Sequence, residues 1–357
     1  TAFVKTIEIL PSFAPAWYNR GKSLIHGGKY QDAIYAFNRA LEIESAFTEV
    51  YYHQGFALLK LEKYAEAIES FDKNLEKDTS NAQAHYNRGL ALFKLGRYEE
   101  ALVAFDKALI NDPDNALAFY HKGRSYVGLD RYNEAIFAFE KTLQLKPKYT
   151  EARMKKGVAL YILGKFKEAV KDFNKIIKDN PKNYPAYYHK GRALLDLGNA
   201  SDALEAYDRA LEGDSNVADA HCHKGIALLE LSRFEEALVE FDCTLEIDPH
   251  LAAAHYNRGV AQTKLGRHTD AVTTFDRALA LLPAFAPAFF QKGLALYALG
   301  IYQDSIDAFD RTLELDPDMA EAALKKAIAL HDLGQNEESL ASCEKALELK
   351  PDFIDAI

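Results

Sequence analysis

The tetrapeptide YNRG at Tyr18–Asn19–Arg20–Gly21 returns at residues 86–89 and 256–259, and near copies reading YHKG stand at 120–123 and 188–191. The spacing decides the fold. Gly21 and Gly89 lie 68 residues apart and Gly89 and Gly259 lie 170 apart, both multiples of 34. Steps of 34 from Gly21 reach Gly55, Gly89, Gly123, Gly157, Gly191, Gly225, Gly259 and Gly293, with one lapse at Ala327. Such a period belongs to arrays of helix–turn–helix units, each of which buries its apolar face on its neighbours. With Ala14 opening the first unit, ten repeats run without insertion or deletion from residue 14 to 353. They are expected to form one superhelical domain, with residues 1–13 as the tail of a preceding repeat and 354–357 as the start of a further one.

Composition agrees. A hydrophobic content of 48% supplies a continuous core along such an array. No apolar run is long enough to cross a bilayer, and no charged start followed by an apolar stretch reads as a signal peptide. Three cysteines, Cys222, Cys243 and Cys343, suit a reducing, cytoplasmic setting better than a disulfide framework. The net charge of −10 argues against nucleic acid as the main partner, and nothing points to a membrane partner.

Numbering positions 1 to 34 within each repeat assigns the packing. A first helix, A, is expected over positions 1–14, a Gly-containing turn near 15, and a second helix, B, to about 31. Proline at position 32, as in Pro113, Pro147 and Pro249, stops helix B because it lacks an N–H and restricts the residue before it. Gly at position 8 and Ala at position 20 allow the two helices to approach closely. The bulky residue for that gap stands at position 24: Phe37, Phe71, Phe105, Phe139, Phe173, Tyr207, Phe241, Phe275 and Phe309.

This pattern resembles the tetratricopeptide repeat, whose form is W-x2-L-G-x2-Y…A-x3-F…P. Trp17, Gly21, Ala33 and Phe37 match it in the first repeat, and Gly89, Ala101, Phe105 and Pro113 in the third. The resemblance covers essentially the whole chain. It implies an all-α, right-handed superhelix of antiparallel helix pairs whose A helices line the concave side and hold ligands there.

One column departs from the family form. Position 7 is Arg or Lys in nine repeats and Gln54 in the other, where Leu is expected. Its direction on the helical wheel is that of the packed positions 3, 11 and 14. A buried unpaired charge is costly. Position 25 offers the partner, being acidic or amide in every repeat: Asn38, Asp72, Asp106, Glu140, Asn174, Asp208, Asp242, Asp276, Asp310 and Glu344. Pairing is expected within a repeat or to the next one, with Arg88–Asp106 and Arg258–Asp276 as the leading pairs.

The stripe opposite the packed face carries the candidate binding residues. Position 5 is mostly aromatic, with Tyr18, Tyr52, Tyr86, Tyr120, Tyr188 and Tyr256. Position 6 is polar, with Asn19, His53, Asn87, His121, Lys155, His189, His223, Asn257 and Gln291. Amides carry both a donor and an acceptor, so a ladder of them suits the backbone of an extended peptide. Arg124, Lys155 and Arg192 fall in this stripe in three successive repeats and offer a seat for an acidic segment near repeats four to six. The sequence HCH at 221–223 does not make a metal site, because residues two apart on a helix point in opposite directions. No phosphate loop or catalytic motif appears, so no cofactor is expected and the chain reads as a non-catalytic protein-interaction scaffold. The alternatives are a substrate-recognition arm of a larger enzyme and a structural solenoid that self-associates end to end, the latter through an apolar end formed by Leu347, Leu349, Phe353 and Ile357.

Overall fold

A computed structural model describes residues 2–351, with side-chain surroundings from residue 3 onward. After a first helix, α1 (Ala2–Ile9), twenty helices follow as ten A–B pairs, each in the expected register. Repeat three is typical, with its A helix at Ala82–Lys94 and its B helix at Tyr98–Asn111. The expected pairs are all present; the helices end one to three residues earlier than the sequence pattern suggests, the B helices of repeats two and six, Tyr64–Leu75 and Ala200–Leu211, being the shortest. Among the described residues there is no strand.

The turn between A and B has one conformation throughout. Position 15 lies in the left-handed region in every repeat, from Gly28 at φ 70° to Gly334 at φ 86°. Three repeats place a non-glycine there: Glu62, Asp130 and Ser232, at φ 56–60°. The fold therefore imposes the left-handed turn even where the sequence supplies no glycine.

Within each repeat the core is one steric fit. The position-24 aromatic is fully buried in all nine repeats that carry it, Phe37 to Phe309. A Cβ placed on Gly89 would stand 2.6 Å from Cε1 of Phe105, and one on Gly259 2.6 Å from Cε1 of Phe275. The lapse at Ala327 has its counterpart: position 24 of that repeat is Cys343, a small residue opposite the added methyl.

Contacts along the chain divide it into two compact units, residues 1–176 and 177–357. In each unit an A helix touches the next A helix as well as its flanking B helices, whereas successive B helices stand apart. The A helices thus form the inner, closely packed side of each unit, and clefts open between B helices on the other.

Seven of the nine basic heads at position 7 are paired with acids, but those of the preceding repeat. Arg88 meets Asp72, Lys122 Asp106, Lys156 Glu140, Lys224 Asp208, Arg258 Asp242, Lys292 Asp276 and Lys326 Asp310, all at 2.5–2.8 Å. The expected Arg88–Asp106 and Arg258–Asp276 pairs are therefore corrected to Arg88–Asp72 and Arg258–Asp242. Position 8 faces helix B of the same repeat, and one residue earlier the helix has turned by about 100° towards the previous B helix. Gln54 keeps the rule in neutral form, its Nε2 donating to Oδ1 of Asn38 at 2.7 Å.

Position 23 completes this clasp from the same repeat. Ser70 Oγ donates to Gln54 and Arg258 donates to Thr274 Oγ1. Lys156 and Lys224 reach carboxylates there, Asp172 at 3.3 Å and Glu240 at 2.7 Å. Burial alone would lower these two ammonium groups, yet their bonds to both carboxylates hold them above the ordinary lysine value. The extra acids have extra bases at position 4, where Arg153 meets Asp172 and His221 meets Glu240.

A second staple recurs beside it. Position 4 side chains contact the carbonyl at position 32 of the preceding repeat, from Trp17 Nε1 to Pro11, Arg153 to Pro147, and His85, His221 and His255 through Nε2 to Thr79, Ser215 and Pro249.

Candidate functional site

The A-helix face was expected to hold the binding residues, and its side chains divide into those that pack and those that stay available. The position-5 rings pack. Tyr18, Tyr86 and Tyr120 are buried, and each position-5 ring lies against the position-24 ring of its own repeat, as in Tyr86–Phe105 and Tyr256–Phe275 with centroids 6.0 and 6.2 Å apart. Tyr52 and Tyr188 do the same while remaining half-buried.

Position 6 is not a ladder of free amides. Asn19 and Asn257 donate to the carbonyls of Pro15 and Ala253 one turn back, which leaves their side-chain oxygens to accept. Asn87 is buried and donates to the Tyr52 hydroxyl of the repeat before it at 3.4 Å. Three histidines pack into the seam between repeats: His53 against Tyr18, His121 against Tyr86 and His223 against Tyr188. His189 edges onto Tyr188, and Gln291 is half-buried. Burial pushes the His53 ring down to about 4, aided by Lys22 and His26, and the His121 ring likewise to about 4, aided by Arg124 and Lys94. Each ring is neutral at physiological pH and records a positive field around it.

The available groups are cations at positions 9, 13 and 6 of the first unit. Lys22 lies over Tyr18 at 5.2 Å, Lys60 over Phe56 at 5.3 Å and Arg124 over Phe93 at 4.6 Å. Lys60, Lys94 and Lys155 are exposed. Among the described residues none of these five takes part in an ion pair with a carboxylate. Sequence reasoning placed Arg124 and Lys155 in the cationic seat but left Lys22 out of it and passed over Lys60 and Lys94; the signal was present in column 13, which reads His26, Lys60 and Lys94 in the first three repeats. Arg192, the third expected cation, belongs to the second unit and lies 5.8 Å from the Tyr188 ring. In that unit position 13 is mixed, with acids at Asp196, Glu230 and Asp332, a base at Lys264 and the neutral Ala298.

His221 and His223 diverge, the first to Glu240 and the Ser215 carbonyl, the second to the Asp219 carbonyl. Leu347 and Leu349 lie in the last helix, while Phe353 and Ile357 of the expected apolar end lie outside the described residues. Among the described residues no helix is long and apolar enough to cross a membrane. The three cysteines are free thiols, and burial raises Cys222 to about 11.

A chain of A–B pairs with a shared inner face is a helical-repeat scaffold. The tetratricopeptide repeat profile matches residues 52–116, 188–251 and 290–352, and a second profile of that repeat matches 14–47 and 252–285. The chain belongs to the tetratricopeptide repeat family, whose general role is that of a protein-interaction scaffold. Residues 128–210 also match the profile of the anaphase-promoting complex, cyclosome, subunit 3. No curated protein matches the chain. Among solved structures it is similar to YrrB, a TPR protein with an unusual peptide-binding site, at 27% identity over 52% of this chain and 95% of that one, with a TM-score of 0.46. It is similar in fold to the APC/C hetero-tetramer Cut9–Hcn1, at 17% identity over 96% of this chain and 74% of that one, with a TM-score of 0.53. A tetratricopeptide repeat protein from Parabacteroides merdae is likewise similar, at 21% identity over 71% and 97% with a TM-score of 0.50.

Proposed function

We propose that this protein is a non-catalytic scaffold that holds an extended, acidic peptide segment along the A-helix face of its first unit. The carrying observation is the series Lys22, Lys60, Lys94, Arg124 and Lys155, in five successive repeats, without carboxylate partners and with three of the heads resting over aromatic rings. A cation held over a ring keeps its charge outward while its stem is packed. The accepting oxygen of Asn19 stands one helical turn from Lys22 and can take a backbone N–H of the peptide. The overall charge of −10 disfavours a polyanion as long as a nucleic acid, whereas a short acidic segment meets only the local field.

The test uses a fluorescein-labelled peptide of alternating Glu, Gly and Ser, titrated with the whole chain across a salt series. Binding is expected to weaken with salt, and the double variant Lys60→Glu/Lys94→Glu is expected to lose about tenfold or more in affinity. An affinity indifferent to salt and to the double variant overturns the acidic-peptide reading.

A further inference from the structure

Clefts open away from the A-helix face, between successive B helices. Each is floored by positions 4 and 7 of one repeat and walled by positions 25 and 28 of the repeat before, or by positions 25 and 26 of the two. One of about 670 Å³ lies between repeats seven and eight, with Leu245, Glu246 and Pro249 on one side, Arg277 and Leu281 on the other, and His255 at its floor. A second, about 460 Å³, repeats the arrangement between repeats two and three with His85 at the floor and Lys107 on the wall.

Other repeats show what normally fills this niche. In four of the five repeats whose position 4 is a large aromatic, the position-26 cation lies across its ring: Arg39 over Trp17 at 5.7 Å, Lys73 over Tyr51 at 5.5 Å, Arg209 over Tyr187 at 5.8 Å and Arg311 over Phe289 at 5.8 Å; in repeat four Lys141 lies instead over Phe137 at 5.5 Å. A cleft of about 350 Å³ beside Phe289 lies towards the start of the B helices, against Val272, Asp304 and Asp307, and one of about 560 Å³ lies over Ala323, where the position-4 side chain is a methyl. At His255 the smaller ring lies with its Nε2 facing the Pro249 carbonyl at 3.1 Å, and among the described residues no aromatic ring lies beneath the Arg277 guanidinium. The niche keeps its cation and its aliphatic walls, and lacks only its aromatic.

We propose that the His255–Arg277 cleft is a binding site for an aromatic side chain, Tyr, Phe or Trp, of a partner protein, which inserts beneath Arg277 in the place that Phe289 occupies one repeat later. The ring stacks under the guanidinium, rests on the imidazole of His255 and is walled by Leu245 and Leu281. This site is in the second unit, between its B helices, and does not depend on the acidic-peptide reading. Because the niche holds one side chain, it contributes an anchor to a larger contact rather than a complete interface.

The probe is 5-fluoroindole, followed by ligand-observed ¹⁹F relaxation in the presence of the whole chain. Broadening is expected with the wild type and is expected to fall to the level of a control protein in His255→Phe, which fills the niche from within as repeat nine does. His85→Phe in the same background closes the second niche and removes any residual broadening. Arg277→Ala is expected to weaken binding about threefold to tenfold, with Arg277→Lys recovering most of it. N-acetyl-leucine amide is expected not to compete, whereas N-acetyl-tyrosine amide is. Equal broadening in wild type and the His255→Phe/His85→Phe variant, or equal competition by the leucine and tyrosine amides, overturns the proposal, as does the absence of broadening with the wild type. Arg277→Ala lies on an exposed helix surface and keeps the test decisive should the phenylalanine variants fail to fold.

Discussion

The seam inside a repeat and the seam between repeats solve the same packing problem in opposite ways. Inside, helix A meets helix B through one steric answer, glycine at position 8 against an aromatic at position 24, and nine repeats use it. Between repeats, the contact is polar and changes its chemistry along the chain: an amide pair at Gln54–Asn38, a guanidinium–carboxylate pair at Arg88–Asp72, and a forked lysine at Lys156. The interior seam is intolerant because nothing there can move aside. The seam between repeats accepts several chemistries, and in one place an unmatched one, since Lys190 at position 7 follows Asn174 rather than an acid.

Removing the interior knob breaks the comparison most sharply. Phe105→Ala is expected to cost ~3–5 kcal/mol, read as lost hydrogen-exchange protection of the repeat-three amides rather than as a single melting point, since repeat arrays unfold in parts. Gly89→Leu attacks the same contact from the other helix and is expected to cost ~1–3 kcal/mol by overpacking against Phe105.

Acidification probes the seam between repeats through His53 and His121. Both are held down to about 4, so between the ordinary histidine value near 6.5 and about 4 the unfolded chain binds more protons than the folded one. Their contribution is complete above that window and declines as the pH falls through it. A His53→Phe/His121→Phe variant keeps the rings and is expected to flatten the decline in thermal stability; an unchanged slope refutes the assignment.

The clasps themselves rank by burial. Lys156→Met leaves Asp172, whose side chain is 6% exposed, with only Arg153 beside it, and is expected to cost ~1–3 kcal/mol. Arg88→Ala frees Asp72, which is 46% exposed and readily hydrated, and is expected to cost at most ~1 kcal/mol. Equal losses at the two sites in urea titrations would erase the distinction. The smallest change has the opposite sign: Glu62→Gly relieves a left-handed residue and is expected to stabilise by up to ~1 kcal/mol.

The fold was legible because the period of 34 repeats its evidence ten times, and columns 8, 20 and 24 each demand one shape. The existence of the position-7 clasp was legible from charge alone, since Arg88 on a packed face requires an acid. Its direction was not, because Asp72 and Asp106 occupy the same column and only the packing of the A helix between two B helices selects the earlier one. The candidate site was legible in outline. Position 6 reads polar, yet Asn87 and His121 are committed to the seam, and a helical wheel cannot show which neighbour a side chain leans on.

The matched clasp also bears on how such a chain can be rearranged by duplication and exchange. A repeat that begins with a basic position 7 can follow any repeat that ends with an acidic position 25, so most units here are interchangeable as neighbours. Repeat two is the exception on its leading edge: Gln54 is fitted to Asn38, and behind an aspartate it would leave that carboxylate without a cation. Gene-level shuffling that moves this unit without the one before it therefore carries a mismatch, and the first two repeats are expected to travel together.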